Sequence, residues 1–170
     1  LSDGGGSIWV NARNLDISEV GVLRVGFAEG LGAVGAVGGD INVNATDNIT
    51  LSGGSVIASF VNENGTGNAG NINIEAGSLN LQNGSQLFSS TAGVGDSGNV
   101  NVDVRDNIVF DSASLILTSV GESGVGQGGD VTLNADSLNL QNGSQIFSST
   151  AVEVDEGSVD DTVRDNLELY

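Results

Sequence analysis

Two arginine–aspartate pairs stand 59 residues apart, Arg105-Asp106 and Arg164-Asp165, each inside the same short motif, Val104–Ile108 and Val163–Leu167. An arginine beside a carboxylate can abstract a proton from a sugar acid. Two carboxylates facing each other across a gap can hydrolyse a glycosidic bond. A third chemistry needs only oxygen ligands, because a hard cation such as calcium wants several at once. Asp96, Asp103, Glu122 and Asp130 lie in or beside glycine-rich stretches, and the densest acidic run is Glu153, Asp155, Glu156, Asp160 and Asp161. These last residues, Asp155, Glu156, Asp160 and Asp161 above all, are the metal candidates if any site exists.

What positions these groups is a repeat. Ser78–Ala92 (SLNLQNGSQLFSSTA) returns almost unchanged as Ser137–Ala151 (SLNLQNGSQIFSSTA), again 59 residues on. Self-similarity at a fixed period marks a solenoid. The unit divides further, because a glycine opens an alternating run at Gly6, Gly39, Gly70, Gly98, Gly129 and Gly157, at intervals of 33, 31, 28, 31 and 28 residues. A doublet of one 31- and one 28-residue unit makes five complete units and a truncated sixth. Residues 1–170 thus read as one segment.

In the unit from Gly70, Ile72 and Ile74 alternate with polar residues, and so do Leu79 and Leu81, giving two short strands with one dry face each. Asn83-Gly84 suits a sharp corner, since both residue types tolerate positive φ. A third strand follows through Gln86–Ser89. Stacking the units predicts five aliphatic columns: Ile8/Ile41/Ile72/Val100/Val131/Val159, Val10/Val43/Ile74/Val102/Leu133, Leu15/Ile49/Leu79/Ile108/Leu138/Leu167, Ile17/Leu51/Leu81/Phe110/Leu140/Leu169 and Leu23/Ile57/Leu87/Ile116/Ile146. One unit cannot bury its apolar side chains but a stack can. The prediction is an all-β, three-sided parallel β-helix of five to six rungs, right-handed by the usual crossover preference. Outward asparagines (Asn42, Asn73, Asn101; Asn80, Asn139) should form ladders. With Leu87 inward, Phe88, Phe147, Leu115 and Leu117 should face out, under the glycine-rich loop.

This frame decides how the chemistry reads. Arg105-Asp106 and Arg164-Asp165 fall at one corner two rungs apart, with Asp47 on the same column and Ser78 and Ser137 in the intervening rungs. Two rungs separate carboxylates by about 9.6 Å, at the upper edge of the roughly 6.5–9.5 Å of inverting glycosidases. Any acid repeated every second rung shows that spacing. Catalytic groups break a repeat, and these obey it, so they read as a polar corner before a strand, with no catalytic or cofactor-binding residue assigned. The calcium nonapeptide is not matched by Gly38-Gly39-Asp40-Ile41 or Gly128-Gly129-Asp130-Val131, and the acidic loops read as solvated.

Composition narrows the partners. The formal charge is −18, with Arg13, Arg24, Arg105 and Arg164 the only cations and no histidine or cysteine. Such a field repels nucleic acid and anionic membranes. No run of about 18 apolar residues suggests membrane insertion, and no leader precedes Leu1, which reads as an internal start within a longer chain. Strict alternation of the 38% apolar residues argues against disorder.

The runs GNAGNINIEAGSLNLQNGSQLFSSTAG and GQGGDVTLNADSLNLQNGSQIFSSTA resemble repeats of the large filamentous-haemagglutinin-type exoproteins, nearest to the Gly/Asn/Ser-rich ones common in cyanobacteria. The likeness spans nearly the whole chain. It implies a β-helical stalk exported by two-partner secretion, through a dedicated outer-membrane protein, and displayed or released at the cell surface. Adhesion or surface architecture is the family's usual role. The family's secretion domain carries an Asn-Pro-Asn-Gly signature, and this chain has no proline, so the likeness is to the repeat-bearing stalk. The expected function is a non-enzymatic structural or adhesive segment, secreted and extracellular, whose partners are neighbouring rungs of its own longer chain and either surface glycans or a host or neighbouring cell surface. The alternatives are a β-helix carbohydrate-active enzyme and a calcium-binding surface module.

Overall fold

The computed structural model describes residues 4–149 in full, and Thr150 and Val159–Leu169 as backbone. The described elements are strands and turns without a helix, and every strand pairing is parallel. Each coil has three stacked segments, a corner between successive ones, and a loop that leads up to the next coil; in the first two coils that loop carries a further short strand, Gly32–Val37 and Thr66–Asn68, which pair with each other. The result is a parallel β-solenoid.

The first strands are Ile8–Ala12, Ile41–Ala45, Ile72–Ala76, Val100–Val104 and the opening of Val131–Leu140. The second strands are Leu15–Ile17, Asn48–Leu51, Ser78–Leu81, Asn107–Phe110 and the end of that same long strand. Because Val131–Leu140 runs through its corner, the two stacks join in one sheet of ten strands, the tenth being Val159–Leu169, which pairs with Val131–Leu140. The third strands, Val22–Phe27, Val56–Val61, Gln86–Thr91, Leu115–Val120 and Gln145–Thr150, make a separate five-stranded sheet.

The five aliphatic columns stand in the predicted register. Ile8, Ile41, Ile72, Val100, Val131 and Val159 pair in sequence, and Leu81 lies between Leu51 and Phe110. Their central members are buried in one continuous core. A sixth column that alternation alone left unassigned, Ala12/Ala45/Ala76/Val104/Ala135, closes the first strand at the corner. Asp161 pairs by backbone with Leu133, as the repeat requires.

The tube is not wholly apolar inside. On the third strands Val25, Ser59, Ser89, Thr118 and Ser148 stand in register, and Ser59, Ser89 and Thr118 are fully buried. Their hydroxyls bond to the glycines that open the rungs. Ser59 Oγ accepts from Gly70 N at 2.8 Å, Ser89 Oγ from Gly98 N at 2.8 Å, and Thr118 Oγ1 donates to the Gly129 carbonyl. A buried backbone group without a partner is costly, so these hydroxyls fill a requirement that water cannot meet. The glycines are obligatory for another reason. A Cβ on Gly39, Gly70, Gly98 or Gly129 would strike the carbonyl of the opening glycine one coil before it. Gly157 lies outside the described residues.

The 31/28 doublet has a structural cause. Between first and second strand, one coil uses three corner residues (Thr46, Asp47, Asn48) and the next uses two (Gly77, Ser78), and the alternation repeats at Arg105–Asn107 and Asp136-Ser137. The closing loops differ by two more, since Val61 and Thr91 pair while the next openings fall at Gly70 and Gly98. At the opposite corner all coils agree, with two successive left-handed residues: Asn83 at φ 54° and Gly84 at 73°, Ser112 at 55° and Ala113 at 59°. Ser55, Ser85 and Ser114 each close that corner by donating to the carbonyl three residues back, at 2.7 Å.

The closing loops stack on one another through bonds such as Gly67 N to Val94 O and Gly95 N to Val125 O. They do not fold back over the outer face of the third sheet, as the sequence had suggested; their backbone groups are satisfied by the loops above and below. On that face the half-buried Phe88, Leu115 and Leu117 and the exposed Phe147 shield one another, with Phe60 and Phe88 ring centroids 6.5 Å apart and Arg24 over Phe60 at 4.3 Å.

Candidate functional site

The arginine–aspartate corner is built by backbone bonds. The Asp47 carbonyl accepts from both Gly77 N (2.7 Å) and Ser78 N (3.0 Å), and the Asp106 carbonyl accepts from Asp136 N (2.9 Å) and Ser137 N (3.1 Å). Asp47 and Asp106 are therefore the extra residues of the three-residue corners. Ser78 pairs with Asn48, and Ser137 with Asn107. The sequence placed both serines on the aspartate column. The shorter corner shifts them by one position, because one carbonyl there serves two N–H groups.

Arg105 is exposed and lies along the rod, with its guanidinium Nη2 donating to the Thr46 carbonyl of the three-residue corner 59 residues earlier. Gly77 makes room for it, since a Cβ there would press on Nη2. Arg13 Nε sits 4.0 Å from Asp47 Oδ2, with both side chains mostly exposed, a pair worth little in water. Arg105 thus acts as a strap between corners. Arg164 and Asp165 have described backbone only, within Val159–Leu169.

The acidic candidates for calcium are dispersed and bonded between rungs. Asp96 Oδ1 accepts from Gln127 N at 2.8 Å, and Asp103 Oδ1 accepts from Asn134 Nδ2 at 3.2 Å. Asp130 N donates to Asn99 Oδ1 at 2.9 Å, and Glu122 is exposed. Among the described residues no three acidic groups gather as a metal site. Glu153, Asp155 and Glu156 lie outside the described residues, as do the side chains of Asp160 and Asp161.

One pair of acids does break the repeat. The outward column next to the corner runs Asn11, Asn44, Glu75, Asp103, Asn134. Glu75 and Asp103 stand on adjacent strands, about 4.8 Å apart by backbone. Asn44 Nδ2 donates to Glu75 Oε2 at 2.7 Å. With Thr46 and Arg105 they line a groove of about 270 Å³. The sequence offered a signal for it, two carboxylates substituted into an asparagine column. Without the register, however, Glu75 looked like any outward polar residue.

The ladders were legible in part. Asn101 Nδ2 donates to Asn73 Oδ1, and Asn73 Nδ2 to Asn42 Oδ1, both at 2.9 Å. Asn80 and Asn139 do not bond to each other, because Val109 stands between them on the intervening strand. The first column begins with Trp9, paired to Asn42 and 72% exposed. Sequence reasoning passed over Trp9, although it is the only tryptophan and sits where later rungs carry asparagine.

The Asn142 amide bonded to Asp111 (Nδ2 to Oδ1, 2.6 Å) holds that carboxyl below the usual range; partial burial opposes this, and bonds to Ser112 add to it.

No helix among the described residues is long and apolar enough to cross a membrane. No family model, curated protein or solved structure matches the chain.

Proposed function

We propose that this chain is a non-enzymatic structural and adhesive stalk segment of a secreted, cell-surface exoprotein of the filamentous-haemagglutinin type. The observation that carries this reading is the use made of the Arg105–Asp106 corner. Its guanidinium and its backbone carbonyl both tie coils together, and both of its side chains are exposed. A rod whose polar groups bond from rung to rung presents long, uniform sides, the geometry an extended adhesin needs. Surface glycans are the partners this charge allows, since the −18 field discourages nucleic acid and anionic lipid.

The test is retention under flow. Beads bearing the chain should hold to cell surfaces or to immobilised neutral glycans more firmly than beads bearing an acidic protein of equal charge. Equal detachment of the two bead types on every surface would refute the adhesive reading.

A second reading, a β-helix carbohydrate-active enzyme, draws on Glu75 and Asp103. Their one-strand separation is close to the roughly 5–5.5 Å between carboxyls in retaining glycosidases. Each already accepts a bond from an asparagine amide of a neighbouring coil, so both carboxylates are used as rungs of the polar ladder that ties coils together. If Glu75→Gln abolishes a measured glycan cleavage, the enzyme reading replaces ours.

A further inference from the structure

The asparagine ladder has a direction. Each amide NH2 points toward the lower-numbered coil, from Asn101 to Asn73 and from Asn73 to Asn42. At Asn42 the next residue in register is Trp9, whose indole offers a donor but no acceptor. Asn42 Nδ2 therefore ends the ladder with no acceptor among the described residues. Bonds in a chain polarise one another, so the terminal donor is stronger than an isolated amide. Beside it Trp9, on the outer face of the first described coil, is 72% exposed, so its ring is open to a ligand. Trp9, Asn11, Asn42, Asn44, Asn73 and Glu75 line a depression of about 130 Å³.

We infer that Trp9 and the open donor end of this ladder form a binding site for a neutral oligosaccharide. The inference rests on the adhesive reading above and gives it a location. A sugar ring offers an apolar C–H face and a rim of hydroxyls that both donate and accept. The indole is the platform for the face. Asn42 Nδ2 meets a hydroxyl oxygen, while Glu75, whose Oε2 is engaged by Asn44, has Oε1 to accept a hydroxyl hydrogen. Other ligand classes fit less well. An anionic polymer would meet Glu75 and the −18 field. A peptide strand docks by its backbone along an edge strand, and although Trp9 lies on one among the described residues, Asn42, Asn44, Asn73 and Glu75 lie on strands paired on both sides.

Because Trp9 is the sole tryptophan, intrinsic fluorescence reports on this site alone. The chain is titrated with maltohexaose, cellohexaose, chitohexaose and mannohexaose, and with oligogalacturonate as the anionic comparison. At least one neutral sugar should shift Trp9 emission saturably, and calorimetry should return the same affinity. Trp9→Ala should weaken calorimetric binding at least about tenfold and Asn42→Leu about fivefold, from one stacked ring and one hydrogen bond. Phe88→Ser, on the other sheet, should leave it unchanged, and circular dichroism of each variant should match the wild type. No response to any of the four neutral sugars at about 10 mM, the limit of weak recognition, overturns the site. So does undiminished binding in Trp9→Ala, or equal affinity for oligogalacturonate. The bead assay separates the two claims: retention without a glycan response overturns the site and leaves the adhesive reading standing, whereas glycan binding without retention does the reverse.

Discussion

Ser89 Oγ accepts the N–H of Gly98 at 2.8 Å from inside the tube, so a buried hydroxyl fixes the glycine that opens the next coil. Ser89→Ala should leave that N–H unpaired in a dry interior and cost about 1–3 kcal/mol. Ser89→Thr should be far milder, because Thr118 occupies the same column one coil on. Ser90→Ala, pointing outward, should change little. Urea midpoints of the three variants check this, and equal losses for Ser89→Ala and Ser90→Ala would show that the hydroxyl is not structural.

Leu81→Asp places a carboxylate between Leu51 and Phe110, all three fully buried. With no cation in the core beside it, the substitution should cost several kcal/mol and unfold the neighbouring coils. Asn80→Asp, one residue away on the outer face, should be nearly silent. Thermal unfolding of the pair measures the difference directly.

The columns were legible because a period of two along each strand and a period of 59 along the chain constrain each other. Residues such as Ile72 and Leu81 satisfy both. What escaped were residues whose type misstates their direction. Ser59, Ser89 and Thr118 were given no place in the core columns, yet they bond to backbone inside the tube. Ser78 and Ser137 were misplaced by one position, because a corner shortened by one residue leaves no trace in hydropathy. Trp9 and the Glu75–Asp103 pair became visible only once register showed which columns they interrupt.

Ala113 holds φ 59° at a corner where three other coils place glycine, Gly54, Gly84 and Gly143, and the first described coil places Val20 at φ 65°. An L-residue in that region costs about 1–2 kcal/mol. Ala113→Gly removes the cost while adding freedom to the unfolded chain, for a net gain of up to about 1 kcal/mol. A higher melting temperature is the expected result, and a lower one would mean that the Ala113 methyl packs more usefully than its exposure suggests.

Asp111 titrates below the ordinary carboxylate range, chiefly because of the Asn142 amide. A depressed folded pKa means that this contribution is present above the unfolded value, about 3.9, and disappears as pH falls through the folded value. Carboxyl carbon shifts followed by NMR should give Asp111 a midpoint below the ordinary aspartate value of about 3.9. Asn142→Ala should raise it, and an unchanged midpoint would remove the amide as its cause.

The central claim is that the Arg105–Asp106 corner ties coils together and performs no chemistry. Its most direct test is viscometry of neutral and acidic polysaccharide solutions incubated with the wild-type chain, with Arg105→Ala and with Asp106→Ala. The account predicts flat traces in all three cases, with both variants retaining the adhesion of the wild type. A fall in viscosity with the wild-type chain that either substitution abolishes would contradict it.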